Sequence, residues 1–187
     1  MTAAAHPDAS PSISLHTAAI LTGRSLRTWQ RRIEDGLVPR LGDGLRAQVP
    51  FAVVQQAMDL APGLAWGAEE VQTLVNADQG DALAQAEMGA QFALIALRGA
   101  DAPSSASGGG QDHTRIAHYF LERAARQGEV DAMHWLGLLH AARLGEPGED
   151  HNALALMWIA KAAAHGHVIA REQLAALLPD LSDGGQC

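Results

Sequence analysis

The sequence predicts an all-α chain in two parts, and three observations carry that reading. First, 48% of the 187 residues are apolar, yet only eight are aromatic (four Trp, three Phe and one Tyr). A core of Ala and Leu suits closely packed helices, not a sandwich or barrel. Second, residues 1–60 hold six Arg against five acids, whereas residues 61–187 hold seven basic and sixteen acidic residues within a net charge of −8. Third, Pro62-Gly63 is a helix stop lying where the charge changes sign.

Composition also excludes several classes. The single Cys, Cys187, rules out a disulfide framework and a Cys-based zinc site. No apolar run reaches the roughly 18 residues of a membrane span, and MTAAAHPDASPS lacks the basic flank and apolar core of a secretion signal. A cytoplasmic protein without membrane contact is expected.

In the first part, residues 1–12 are expected to be disordered. Ser14 suits the cap of a short helix whose apolar face is Leu15, Ala18, Ala19 and Ile20 or Leu21. Thr22-Gly23-Arg24 reads as a tight turn, and Ser25 as the cap of a second helix over 26–34. Trp29 and Ile33, one turn apart, face the core, and Gly36 falls where a left-handed cap is expected. Two helices joined by a short Gly turn outline a helix-turn-helix. Arg27, Gln30, Arg31 and Glu34 fall away from the Trp29 stripe. Arg and Gln are the side chains that bond guanine and adenine edges in the major groove. Ser25 and Thr28 suit phosphate contacts at a helix start, with Arg24, Arg32 and Arg46 as further phosphate ligands. Residues 41–46 read as a hairpin turn, a wing, and 51–60 as a closing helix.

The run Leu15, Ala18, Ala19, Leu21, Gly23, Ser25, Arg27, Thr28, Trp29, Arg31, Ile33, Gly36, Val38, Pro39 resembles the winged domain of MerR-type regulators and phage excisionases. The resemblance covers residues 13–58. It implies that the helix after Ser25 enters the major groove, flanked by the wing, with Ser25, Arg27, Thr28, Arg31 and Arg46 at the duplex. The sequence departs from the family in a Gly-Asp-Gly wing without its usual basic and aromatic residues. It also lacks a long pairing helix after Leu60.

The second part contains internal repeats. At an offset of 48, Gly80, Ala84, Met88 and Gly89 fall on Gly128, Ala132, Leu136 and Gly137. At an offset of 38, Ala117, Phe120, Leu121, Ala124, Ala125 and Gly128 fall on Ala155, Trp158, Ile159, Ala162, Ala163 and Gly166. The ten-residue excess is a Ser/Gly stretch within 102–111, read as a flexible loop. The units are helix pairs. First helices are expected over 81–98, 129–143 and 167–178, and second helices over 113–127 and 150–165. One pair cannot bury its apolar face alone, so neighbours stack into a solenoid. The pattern Gly128, Ala132, Leu136, Gly137, Ala155, Trp158, Lys161, Ala162, Ala163, Gly166 resembles the Sel-one-like repeat, a relative of the tetratricopeptide repeat, over residues 80–178. The resemblance implies a scaffold holding a protein or peptide. Residues 61–79 are read as a linker and a helix, 68–77, capping the front of the repeats, and 179–187 as a polar tail.

Other constellations carry less. His134 and His140 stand six apart, a poor match to one helix face, so no metal site is expected. Glu69-Glu70 and Glu149-Asp150 sit at helix starts, where acids complement the dipole. No nucleophilic triad stands out, and the Ser/Gly stretch lacks the Lys-Ser/Thr ending of a phosphate loop, so neither catalysis nor a cofactor is expected.

The expected architecture is therefore a small winged helix-turn-helix joined to a short α-solenoid. The expected function is a bacterial-type transcription regulator that binds double-stranded DNA through its first part and a protein or peptide through its second. A homodimer is expected if the target is palindromic. The alternative is a non-catalytic adaptor whose helix-turn-helix does not bind DNA, which the acidic second part and weak wing favour.

Overall fold

A computed structural model describes residues 10–42, 47–58, 66–100 and 109–177. Most of the expected disordered N-terminus, the wing tip with Arg46, the Pro62-Gly63 boundary, most of the Ser/Gly loop and all of the polar tail lie outside the described residues. Those residues form nine helices and one two-stranded sheet, an all-α architecture. They fall into two compact units, residues 1–79 and 80–187.

The first unit opens with strand β1 (Ser12–Ser14), antiparallel to β2 (Gln48–Pro50). Ile13 pairs with Val49, and both are wholly buried while their strand neighbours are half-exposed. This is the period of two that puts alternate side chains on one face. The pairing includes Ser12, and Phe51 donates its N–H to the Pro11 carbonyl at 2.8 Å. The structured region thus begins ahead of the expected boundary at residue 13.

Helix α1 (Leu15–Thr22) starts at Ser14, whose Oγ accepts the Thr17 N–H at 3.2 Å. It ends at Gly23, φ +67°, a conformation that Gly adopts without a Cβ clash. Helix α2 (Leu26–Glu34) starts at Ser25 and ends in the left-handed Gly36, with Leu37 N–H returning to the Arg32 carbonyl at 2.9 Å. Trp29, Leu21, Val38, Val49, Phe51 and Val54 form the core with Ile13. Helix α3 (Phe51–Ala57) follows β2 directly.

Helix α4 (Ala68–Gln79) lies in the first unit and packs against β1. Asp78 near its end receives both the N–H and the hydroxyl of Ser14, at 2.8 and 2.6 Å. Trp66, just before the helix, sets its ring 5.0 Å from Phe51.

The second unit is five helices: α5 (Ala82–Ala100), α6 (Gly109–Arg126), α7 (Val130–Ala141), α8 (His151–Ala164) and α9 (Val168–Leu177). Each packs on its successor, and α5 also touches α7. The bounds lie within a few residues of those expected. The start of α6 differs most, because Gly109 and Gly110, expected in the loop, are already helical.

The sequence offsets reappear as geometry. Gly80, Gly128 and Gly166 have φ values of 103°, 98° and 98°. After α6 the Gly128 and Glu129 amides return to the Ala125 and Ala124 carbonyls, and after α8 the Gly166 and His167 amides return to those of Ala163 and Ala162. Inside the helices, a Cβ on Gly89 would lie 2.5 Å from Leu121 Cγ, and one on Gly137 would lie 2.7 Å from Ile159 Cδ1. Missing side chains at matching positions let α5 approach α6 and α7 approach α8. Phe120, Leu121, Ala124, Leu136 and Ala162 are wholly buried around these approaches.

Candidate nucleic-acid interface

The best-built surface for a nucleic acid is the turn between α1 and α2 and the outer side of α2. Trp29 fixes that helix. Its ring is wholly buried, and its Nε1–H donates to Thr22 Oγ1 at 3.3 Å. The Thr22 hydroxyl in turn donates to the Ala18 carbonyl at 2.7 Å. The last turn of α1 therefore holds the middle of α2, and the opposite side of α2 is left to solvent.

At the start of α2, Ser25 Oγ accepts the Thr28 N–H at 3.1 Å and lies 2.9 Å from Thr28 Oγ1. Both residues are exposed. The cap satisfies one first-turn amide, and the amides ahead of it have no intrahelical acceptor. A first turn of this kind accepts an anion such as a phosphate oxygen. Arg24 is exposed in the turn itself.

Arg27, Gln30 and Arg31 are all exposed, away from Trp29. Arg31 approaches Asp35 at 3.7 Å, with the two side chains 80% and 53% exposed. An ion pair this open contributes little, so the guanidinium is available for exchange. Arg32 is different. It is half-buried, with its guanidinium carbon 5.6 Å from the Trp29 ring centroid. Its first contact is the aromatic face that closes the core, an arrangement the Trp-x-x-Arg spacing could have signalled.

After α2 the chain turns back through Leu41 and Gln48, which exchange backbone bonds of 2.8 and 2.9 Å. Ser12 Oγ donates to Gln48 Oε1 at 2.8 Å, tying this hairpin base to β1. Arg46 lies outside the described residues. The structure thus brings Arg24, Ser25, Arg27, Thr28, Gln30 and Arg31 onto one continuous stretch, with Arg32 turned toward Trp29.

The chain matches no known protein family, no curated protein and no solved structure.

Two polar arrangements had no signal in the sequence pattern. One is the Ser14–Asp78 contact. The other is a cluster of His140, Glu149 and His151 in the second unit. Among the described residues, no helix is long and apolar enough to cross a membrane.

Proposed function

We propose that the chain is a DNA-binding transcription regulator, with residues 13–60 acting as a winged helix-turn-helix and the second unit acting as a repeat solenoid that binds a protein or peptide. The observation that carries this reading is the exposed Arg27–Gln30–Arg31 surface of α2, held outward by the burial of Trp29 on the other side. Arg27 and Arg31 read base edges, with Gln30 between them. Ser25, Thr28 and Arg24 engage phosphates, and Arg32 and Arg46 add charge at the margins. The hairpin base at Leu41 and Gln48 supports the wing assignment, and the repeated Gly89–Leu121 and Gly137–Ile159 approaches support the solenoid.

The test is selection from a random duplex pool with the wild type beside Arg27→Glu/Arg31→Glu. Enrichment of one motif by the wild type alone is the expected result, with affinity falling steeply as salt rises. Equal failure of both proteins, or a flat salt response, would overturn DNA binding. The second unit would then be the working part of an adaptor.

A further inference from the structure

The second unit contains a group of side chains that neither repeat packing nor DNA binding uses. His140 lies in the last turn of α7, His151 begins α8, and Glu149 lies in the connection between them. One ligand atom from each of the three residues lies within 4.8 Å of the others, and His140 Nδ1 stands 3.9 Å from Glu149 Oε2.

Backbone geometry produces this convergence. Arg143 takes a left-handed φ of +59° after α7, and Leu144 N–H returns to the Leu139 carbonyl at 2.9 Å. The chain then folds over itself. Glu146 N–H donates to Glu149 Oε2 at 3.0 Å, and Glu149 N–H returns to the Glu146 carbonyl at 3.3 Å. The Glu149 carboxylate is thereby turned back beneath Gly145. Asp150, the next residue, is occupied as the α8 cap, accepting the Ala153 N–H.

Two observations point to a ligand. His140 is only 5% exposed, and its Nδ1 is buried with no hydrogen-bond partner, as is the Nδ1 of His151. Native proteins pair nearly all such atoms, and an ion is one of the few explanations for an orphan. The second observation is the space at Gly145. A Cβ there would stand 2.8 Å from Glu149 Oε2, 3.0 Å from His151 Cε1 and 3.1 Å from His140 Cε1. The three groups surround a gap that only Gly leaves open.

A direct His140–Glu149 ion pair does not account for the arrangement. The atoms are 3.9 Å apart, beyond hydrogen-bond distance. The other histidine pair of this unit makes a useful contrast. His134 Nε2 bonds Gln173 Oε1 at 2.9 Å, and His167 Nδ1 accepts the Ala170 N–H at 3.1 Å. Those rings have structural partners.

We propose that His140, Glu149 and His151 form a binding site for a divalent transition-metal ion of the Zn2+ type. Two imidazole nitrogens and one carboxylate are a donor set that zinc accepts in tetrahedral geometry, with the fourth position left for water or another ligand. Metal–ligand distances of about 2.0–2.2 Å require the three atoms to close by roughly 1 Å, a movement within reach of a carboxylate on a loop. His140 and Glu149 also line a cleft of about 670 Å³ together with Arg115, His118, Glu122 and Arg143, which gives the fourth position an approach from solvent. His118 is a positioning residue. Its ring meets His140 edge-on at 5.2 Å, and its Nε2 is engaged with the Leu144 carbonyl at 2.8 Å.

The full-length chain, stripped with chelator, is titrated with Zn2+ against a chromophoric chelator. Co2+ substitution then reports coordination through its visible ligand-field bands. One tight equivalent is expected, with tetrahedral Co2+ bands. Glu149→Gln and His151→Ala, which alter partly exposed residues, each weaken binding by about 10-fold or more. Gly145→Ala, which fills the gap, weakens it as well. His134→Gln leaves it unchanged, which separates this site from adventitious binding by the other histidines. His140→Ala is read only with an unchanged circular dichroism spectrum, because that ring is buried. The proposal is overturned by the absence of a stoichiometric site. It is equally overturned by Glu149→Gln and His151→Ala proteins that bind as the wild type does.

Discussion

Ser14 and Asp78, 64 residues apart, form a two-point contact in which one carboxylate receives both the backbone N–H and the hydroxyl of the residue that caps α1. The Ser14 Oγ donates to Asp78 while accepting from Thr17, so helix capping and the attachment of α4 share one atom. Asp78→Ala is expected to destabilise the first unit by about 1–3 kcal/mol, the usual range for hydrogen bonds to a charged acceptor. Asp78→Asn keeps one acceptor and costs less. Calorimetric unfolding of the two variants checks the order. A transition unchanged in Asp78→Ala would mean that water replaces the carboxylate without loss.

The close approaches at Gly89 and Gly137 predict a ranked pair of substitutions. Ala gains up to about 1 kcal/mol over Gly in a helix interior, but a crowded methyl costs about 1–3 kcal/mol. At Gly89 the new Cβ meets Leu121 Cγ at 2.5 Å and the Leu121 backbone nitrogen at 3.0 Å. At Gly137 it meets the flexible end of Ile159 at 2.7 Å, with the backbone nitrogen at 3.3 Å. Gly89→Ala should therefore lower the melting temperature of the second unit more than Gly137→Ala. The opposite order would show that α5 shifts more freely than α7.

Arg143 occupies a left-handed position that Gly36, Gly128 and Gly166 fill at the ends of α2, α6 and α8. A side chain there is strained, whereas Gly is not. Arg143→Gly relieves the strain but gives the unfolded chain more freedom. The net expectation is a gain of about 0.5–1 kcal/mol, read from the urea midpoint. A loss would mean that the arginine side chain makes a contribution larger than its backbone cost.

His134 predicts how the second unit responds to acid. Burial holds its pKa below the ordinary 6.5, and the nearby His167 adds to the effect, while Gln173 and Asp131 oppose it. Above pH 6.5 the ring is neutral in both folded and unfolded chains, and its contribution to stability is fully present. As pH falls past that value the unfolded chain takes up the proton first. Stability is lost until the lower folded pKa is reached and then levels off. A urea midpoint that falls between about pH 8 and about pH 5, with a shallower fall in His134→Gln, is the expected result. An identical profile in the variant would remove His134 from the account.

The features legible in the sequence are those set by neighbours along the chain. Ser14 and Ser25 as caps, Gly23 and Gly36 as left-handed turns and the span of α2 all follow from local rules that a few residues satisfy. The equivalence of Gly89 with Gly137 and of Gly128 with Gly166 is readable because the same small residues recur at fixed offsets. Partners distant in the chain were not readable. The stripe Val71, Leu74 and Val75 shows that α4 buries a face, and Leu74 is wholly buried, but amphipathicity does not say against what. The tie to β1 depends on one carboxylate with no periodic signal. His140, Glu149 and His151 follow neither helical nor metal-motif spacing. They meet because Arg143 and Gly148 both turn left-handed in the connection that carries Glu149.

The matched glycines also bear on how a unit of this kind could be lengthened. Gly128 and Gly166 leave their helices with the same φ and the same pair of returning amides. A segment copied from 129 to 166 and inserted after Gly166 would therefore start and finish in backbone conformations the chain already uses. If the second unit is the solenoid proposed above, one such cassette would lengthen its surface by a joint the chain already makes.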